Sequence, residues 1–182
     1  MLRVLTVELR KLNRSLAAAL AVAAPGLIAV FTFFNILRGT TPQPWDMWMV
    51  GGAGIWAFFM LPMSVTALTA LVAQMEHSPR SWDHLRALPL PRWTFYTAKA
   101  VSVLLVVALM SLGVFVMTWA AVRLAVAVKP ELAPTGVFDA SAYLTMLGRM
   151  YLAATLLVGV QLWIALRWSS FVPGLVVGIG GT

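Results

Sequence analysis

Four stretches of this chain contain no Asp, Glu, Lys or Arg over lengths that match or approach a bilayer crossing: residues 15–37, 47–75, 100–122 and 150–166. A helix needs roughly 20 apolar residues to cross the hydrocarbon layer. Lipid offers the backbone no hydrogen bonds, so a run that enters it must close its own ladder as a helix. The fold class that follows is all-α: a polytopic membrane helical bundle. The composition agrees, because 61% of the 182 residues are hydrophobic, mean hydropathy is +0.89 and only 10% are charged. Soluble domains carry about a quarter charged residues.

The fourth run is short, and its span is expected to start earlier, over 142–166, which takes Arg149 into or near the membrane. A fifth apolar run, 168–182, holds Pro173, Gly174, Gly178, Gly180 and Gly181 and is too short for a crossing. It reads as the start of an incomplete fifth span in a longer chain, or as a tail that re-enters without crossing. Residues 1–182 make a single transmembrane domain on this reading.

Charge sets the orientation. With alternating spans, one side receives Arg3, Arg10, Lys11, Arg14, Arg80, Arg86, Arg92, Lys99 and Arg167, against Arg38, Arg123 and Lys129 on the other. Lys and Arg collect on the cytoplasmic side, so the amino terminus and the segment around 76–99 are expected in the cytoplasm. This asymmetry also accounts for the net charge of +7 without a nucleic-acid partner. Trp45, Trp48, Trp93 and Trp168 fall at expected span ends, where an indole suits the headgroup level. Trp56 lies deeper, where packing explains it.

Residues 1–14 read as a helix lying in the membrane plane. Leu2, Leu5, Leu9, Leu12 and Leu16 recur on one stripe, while Arg3, Glu8, Arg10, Lys11 and Arg14 take the remaining arc. A secretory signal does not fit, because the following apolar run exceeds the 7–15 residues of a signal core.

Between the second and third spans lies a polar island. Ser78-Pro79 is a helix start, with a hydroxyl cap and a proline at the first helical position. Glu76 and Asp83 bring negative charge to that start. Trp82, Leu85 and Leu88 form an apolar stripe, and Pro89 and Pro91 stop the helix. Two readings fit this patterning: an interfacial helix that stabilises the bundle, and a helix that docks into a groove on a cytoplasmic protein. Composition alone favours the first.

Catalytic chemistry is not encoded in recognisable form. There is no cysteine, so thiolate metal sites and a thiol nucleophile are excluded. There is no HExxH pattern, no phosphate loop and no Gly-x-Ser-x-Gly elbow. His77 and His84 are separated by Pro79 and read as solvated, so no metal site and no bound cofactor are expected. The breakers Pro25-Gly26, Pro62 and Gly51-Gly52-Ala53-Gly54 read first as packing devices within the spans.

The order Glu76, Ser81-Trp82, Leu85, Leu88-Pro89, Arg92, Tyr96 and Lys99 resembles the first cytoplasmic loop of ABC exporter permeases of the second exporter family. The Trp-x-x-Leu-x-x-Leu-Pro-x-x-Arg form is most similar to the lantibiotic and bacteriocin immunity branch, although Ser81-Trp82 stands where many relatives carry Gly-Thr. The resemblance implies a type V exporter half with six spans in the complete chain, of which four to five are present here. It implies a multi-pass protein of the bacterial inner membrane with its amino terminus in the cytoplasm. It further implies a second permease copy or sister permease, membrane lipids around the bundle, and a dimer of ATPase subunits that holds ATP and Mg. The 76–92 loop would be the coupling helix, with Glu76, Arg80, Ser81, Trp82, Asp83, Leu85, Arg86, Leu88, Pro89 and Arg92 at the ATPase, beside Leu5, Glu8, Leu9 and Leu12 of the in-plane helix. The implied substrates are antimicrobial peptides or other amphipathic or lipophilic molecules. The competing reading is a non-transporting immunity or anchoring protein that binds a peptide or membrane partner without ATP. On the exporter reading, combined Trp82→Ala and Leu85→Asp substitution uncouples ATP hydrolysis from transport while membrane insertion persists. Wild-type stimulated ATPase and transport in that variant would remove the coupling role.

Overall fold

The computed structural model describes residues 2–13, 15–77 and 92–167. Its elements are α1 (Leu2–Asn13), α2 (Leu16–Arg38), α3 (Trp45–Ile55), a π-helical turn (Trp56–Met60), α4 (Leu61–His77), α5 (Arg92–Val128), a 3₁₀ turn (Pro130–Leu132) and α6 (Ala140–Arg167). Four helical segments are long and apolar enough to cross a membrane: Leu16–Arg38, Trp45–Met75, Trp93–Val128 and Ala140–Arg167. The chain is an all-α bundle; among the described residues the β geometry is an isolated bridge between Pro44 and Thr135.

Ser15 separates the first two helices. Its hydroxyl donates to the Leu12 carbonyl at 2.8 Å, closing α1, and accepts from the Ala17 amide at 3.1 Å, opening α2. The leucine stripe expected to run from Leu2 to Leu16 therefore ends at Leu12. Leu16 belongs to α2 and is 71% exposed.

α5 is the axis of the bundle. Its 37 residues span about 55 Å at 1.5 Å per residue, nearly twice the hydrocarbon thickness of about 30 Å. The apolar run 100–122 is the centre of this longer rod. α2 lies along α5, and α4 packs against α6. Contacts at both ends show that α2 and α5 run the same way. Near their starts α1 reaches Lys99. Beyond their far ends the Lys129 ammonium donates to the Leu37 carbonyl at 2.9 Å, satisfying a helix-terminal acceptor.

The breakers have specific uses. Pro25 removes an interior donor from α2, and its ring sits on Gly113 of α5, where a Cβ would approach Pro25 Cγ to 3.3 Å. Gly52 is pressed against Thr118 and Ile28 in the same way, at 3.3 and 3.4 Å from a built Cβ, while Gly26, Gly51 and Gly54 face open space. Ahead of Pro62 the second span widens into one π turn, with the Leu61 amide bonded to the Trp56 carbonyl. Trp56 is fully buried, and its indole Nε1 donates to Ser111 Oγ at 3.2 Å. Ser111 in turn donates to the Val107 carbonyl at 2.9 Å. Trp56 thus packs, as its depth suggested, and also makes a directed bond.

At the far end the two connections are laced together. The Thr135 amide donates to the Gln43 carbonyl at 3.1 Å, and the Trp45 amide to the Thr135 carbonyl at 3.3 Å. Phe138 then covers Trp45, Phe115 and Tyr143, with ring centroids 5.7, 6.2 and 5.8 Å away. Asp139 caps α6, its Oδ1 accepting from the Ala142 and Ser141 amides and the Ser141 hydroxyl.

The polarity is that of a membrane bundle. Phe31, Phe34, Phe58, Leu152 and Leu156 are exposed. Ser64, Thr66, Thr69, Ser102, Ser111 and Gln161 are buried. Several of these hydroxyls return to carbonyls one turn back, such as Thr66 to Pro62 and Ser102 to Ala98. Arg149 lies exposed on α6, and Arg167 stacks over Trp163 at 5.5 Å.

Two outcomes are expected. Gly52→Leu forces α3 away from Thr118 and Ile28 and costs about 1–3 kcal/mol of overpacking, whereas Gly51→Leu stays within about 0.5 kcal/mol; thermal unfolding in detergent reads both. The second concerns acid. The Ala142 amide and Ser141 hydroxyl hold the Asp139 carboxyl below its ordinary range. This cap therefore contributes above the ordinary carboxylate pKa and is lost as pH falls through the lower folded value. Asp139→Asn should flatten that acid limb in a pH series of unfolding temperatures.

Candidate functional site

The site begins with two charges that burial would make costly alone. Lys99 lies two turns into α5, between Ala98 and Ala100, and is 1% exposed. Its Nζ meets Oε2 of Glu8, on α1, at 2.9 Å. Glu8 is itself only 8% exposed. Its other oxygen, Oε1, accepts from Lys11 Nζ at 3.4 Å, one turn along α1. The carboxylate is thus held between a buried and a rim ammonium. The rim contact is solvent-screened and worth little. The buried contact is different, because removing one partner leaves an uncompensated charge.

Apolar packing surrounds the pair. Leu12 is buried, Leu5 and Leu9 are half-buried, and on α5 Phe95, Ala98 and Val103 are buried. Leu5, Leu9 and Leu12 therefore form the inner face of α1. Glu8 departs from expectation: it does not share the outer polar arc with Arg10 and Lys11 but points inward to Lys99. The signal was present in the sequence, since Glu8 is the lone acid among the basic residues of 1–14 and Lys99 stands alone at the foot of an apolar run.

Between Arg92 and Lys99, α5 forms a stalk with Trp93 and Tyr96 exposed and Thr94 and Phe95 buried. The Tyr151 hydroxyl donates to the Leu104 carbonyl at 3.2 Å, tying α6 to the same rod above the ion pair. Glu76 lies in the last turn of α4, and Arg92 opens α5. Arg80, Ser81, Trp82, Asp83, Leu85, Arg86, Leu88 and Pro89, with the short helix expected there, lie outside the described residues, as does 168–182.

Nothing in this arrangement resembles a catalytic centre. Among the described residues no three His, Asp or Glu side chains come close enough to hold a metal ion. The arrangement is a long rod without an interior proline, with α1 held to its foot by the ion pair.

The family model described as ABC-2 family transporter protein matches residues 4–181, nearly the whole chain. No curated protein and no solved structure matches. With four crossing helices and that match, the chain belongs to the ABC-2 family of transporter proteins, and is a multi-pass permease subunit of an ABC transporter.

Proposed function

We propose that this permease is half of an ATP-driven exporter in a bacterial inner membrane, with α1 and the 76–92 loop on the cytoplasmic side. A dimer of ATPase subunits holding ATP and Mg docks against the loop. A second permease, identical or sister, completes the pathway. The substrates are amphipathic or lipophilic, and antimicrobial peptides fit the immunity branch that the loop resembles. The observation that carries this reading is the Lys99–Glu8 pair. It joins α1 to the foot of an α5 whose sequence from Arg92 to Val128 contains no proline. A push on the 76–92 loop enters α5 at Arg92, and the rod conveys it past the ion pair to the far end.

The coupling acts through rigid-body tilt, a known mode of switching in packed helices. The ion pair makes α1 move with α5, so the ledge and the loop present one surface to the ATPase. Weak anchoring would let the loop move without the spans.

Replacement of one charge tests this. Glu8→Gln or Lys99→Met should cost about 3–5 kcal/mol of stability and lower substrate-stimulated ATPase and transport in reconstituted vesicles. The paired neutral variant, Glu8→Leu with Lys99→Met, should regain most of the stability and the coupling, because it restores contact without charge. Single variants that keep both properties at the wild-type level would refute the clamp. Recovery of the permease without a soluble ATPase after gentle solubilisation would favour the non-transporting alternative.

A further inference from the structure

Beside the ion pair, α1, α2 and α5 enclose an open groove of about 560 Å³. Leu9 and Leu12 of α1 form one wall, and Val106 and Leu109 of α5 another. The floor is α2, where Ala17, Ala18 and Ala21 replace the larger side chains found elsewhere on that helix, with Val22 at the edge. Arg10 and Thr6 of α1 complete the lining.

The groove has a polar end and an apolar end. Arg10 sits on α1, six residues before α2, the first helix long and apolar enough to cross a membrane. From there the apolar lining follows α2 from Ala17 to Val22 and α5 up to Leu109. In sequence α1 carries Arg3, Arg10 and Lys11 against one acid, Glu8. Glu8, the single acid of α1, is already matched by Lys99 and Lys11, while Arg10, on the same helix, is exposed and lines the groove. A ligand for this shape has an anionic head and a hydrocarbon tail, and the surrounding bilayer supplies one.

We infer that this groove binds one anionic phospholipid, its phosphate on Arg10 and one acyl chain along Ala18, Ala21, Val106 and Leu109. Arginine suits the phosphate because its planar fork donates two parallel hydrogen bonds. A lipid seated here fills the space between α1 and the α2–α5 pair, and so supports the ledge from the side opposite the ion clamp. Lipid retention is read directly on the protein, so failure here and failure of the exporter reading are separate results.

The test is native mass spectrometry of the intact chain in micelles doped with equal amounts of dioleoylphosphatidylglycerol and dioleoylphosphatidylcholine. The expected result is one retained lipid, with phosphatidylglycerol preferred. Arg10→Gln should reduce that preference about fivefold, the weight of one basic residue against an anionic headgroup, and Arg10→Lys should restore part of it. Ala21→Phe, which fills the floor of the groove, should remove the retained lipid of either kind. Arg10 is exposed, so Arg10→Gln tests the headgroup contact without threatening the fold. An unchanged lipid ratio in Arg10→Gln overturns the assignment. So does an unchanged lipid count in Ala21→Phe, and so does a change in oligomeric state with Ala21→Phe at constant lipid count, which would give the groove to a second copy.

Discussion

A buried lysine must find an anion, and this structure is arranged around that requirement. Lys99 sits where α5 enters the bundle, almost fully enclosed. An ammonium in such a place is tolerated only with a close, hydrogen-bonded partner. Glu8 supplies it from another helix, ninety-one residues away in sequence. The ion pair adds little net stability over a hydrocarbon contact of the same size, but it makes detachment of α1 costly. That asymmetry turns an amphipathic helix into a fixed ledge.

Above this point the bundle depends on close approach between backbones. Lipid is as apolar as the side chains, so burial alone does not drive helices together. Pro25 on Gly113 and Gly52 on Thr118 bring α2 and α3 tightly onto α5. Trp56 adds a directed bond to Ser111, reached through the widened turn ahead of Pro62. Trp48 Nε1, Thr118 Oγ1 and Tyr143 Oη are buried without a hydrogen-bond partner among the described residues. All three lie toward the end of the bundle remote from α1.

Much of this was legible in the sequence, for physical reasons. Charge-free runs leave no fold but helices in lipid, so the crossing segments were readable from composition. Boundaries were less so. The third run looked like 100–122 because Arg123 and Lys99 interrupt it, yet the helix continues through both, one charge paired with Glu8 and the other over Trp119 at 5.4 Å. Helix propensity does not stop at a charge that finds a partner. Glu8 was placed outward because periodicity counts polarity and does not see the cation waiting on another helix. Leu16 fitted the stripe by spacing but fell beyond the Ser15 cap, a local hydrogen-bond choice that overrides the repeat. Gly52 and Gly113 carried no mark distinguishing them from Gly26, since only the tertiary contact shows which glycine is needed. The ABC-2 family match spans the 76–92 loop, and the coupling role of its residues is the part of the proposal read from sequence alone.

The central claim is that α1 and α5 move as one body. The 182 residues contain no cysteine, so spin labels can be placed at Val7→Cys and Trp93→Cys, two exposed positions on α1 and on the foot of α5, with doubly labelled permease diluted into unlabelled permease and cysteine-free ATPase so that only distances within one copy are read. Their separation would be measured by pulsed electron paramagnetic resonance in the assembled transporter, without nucleotide and with ATP bound. The account predicts a single, unchanged distance distribution in both states. A second, longer population on ATP binding would contradict it, because the ledge would then be leaving the rod that it is proposed to follow.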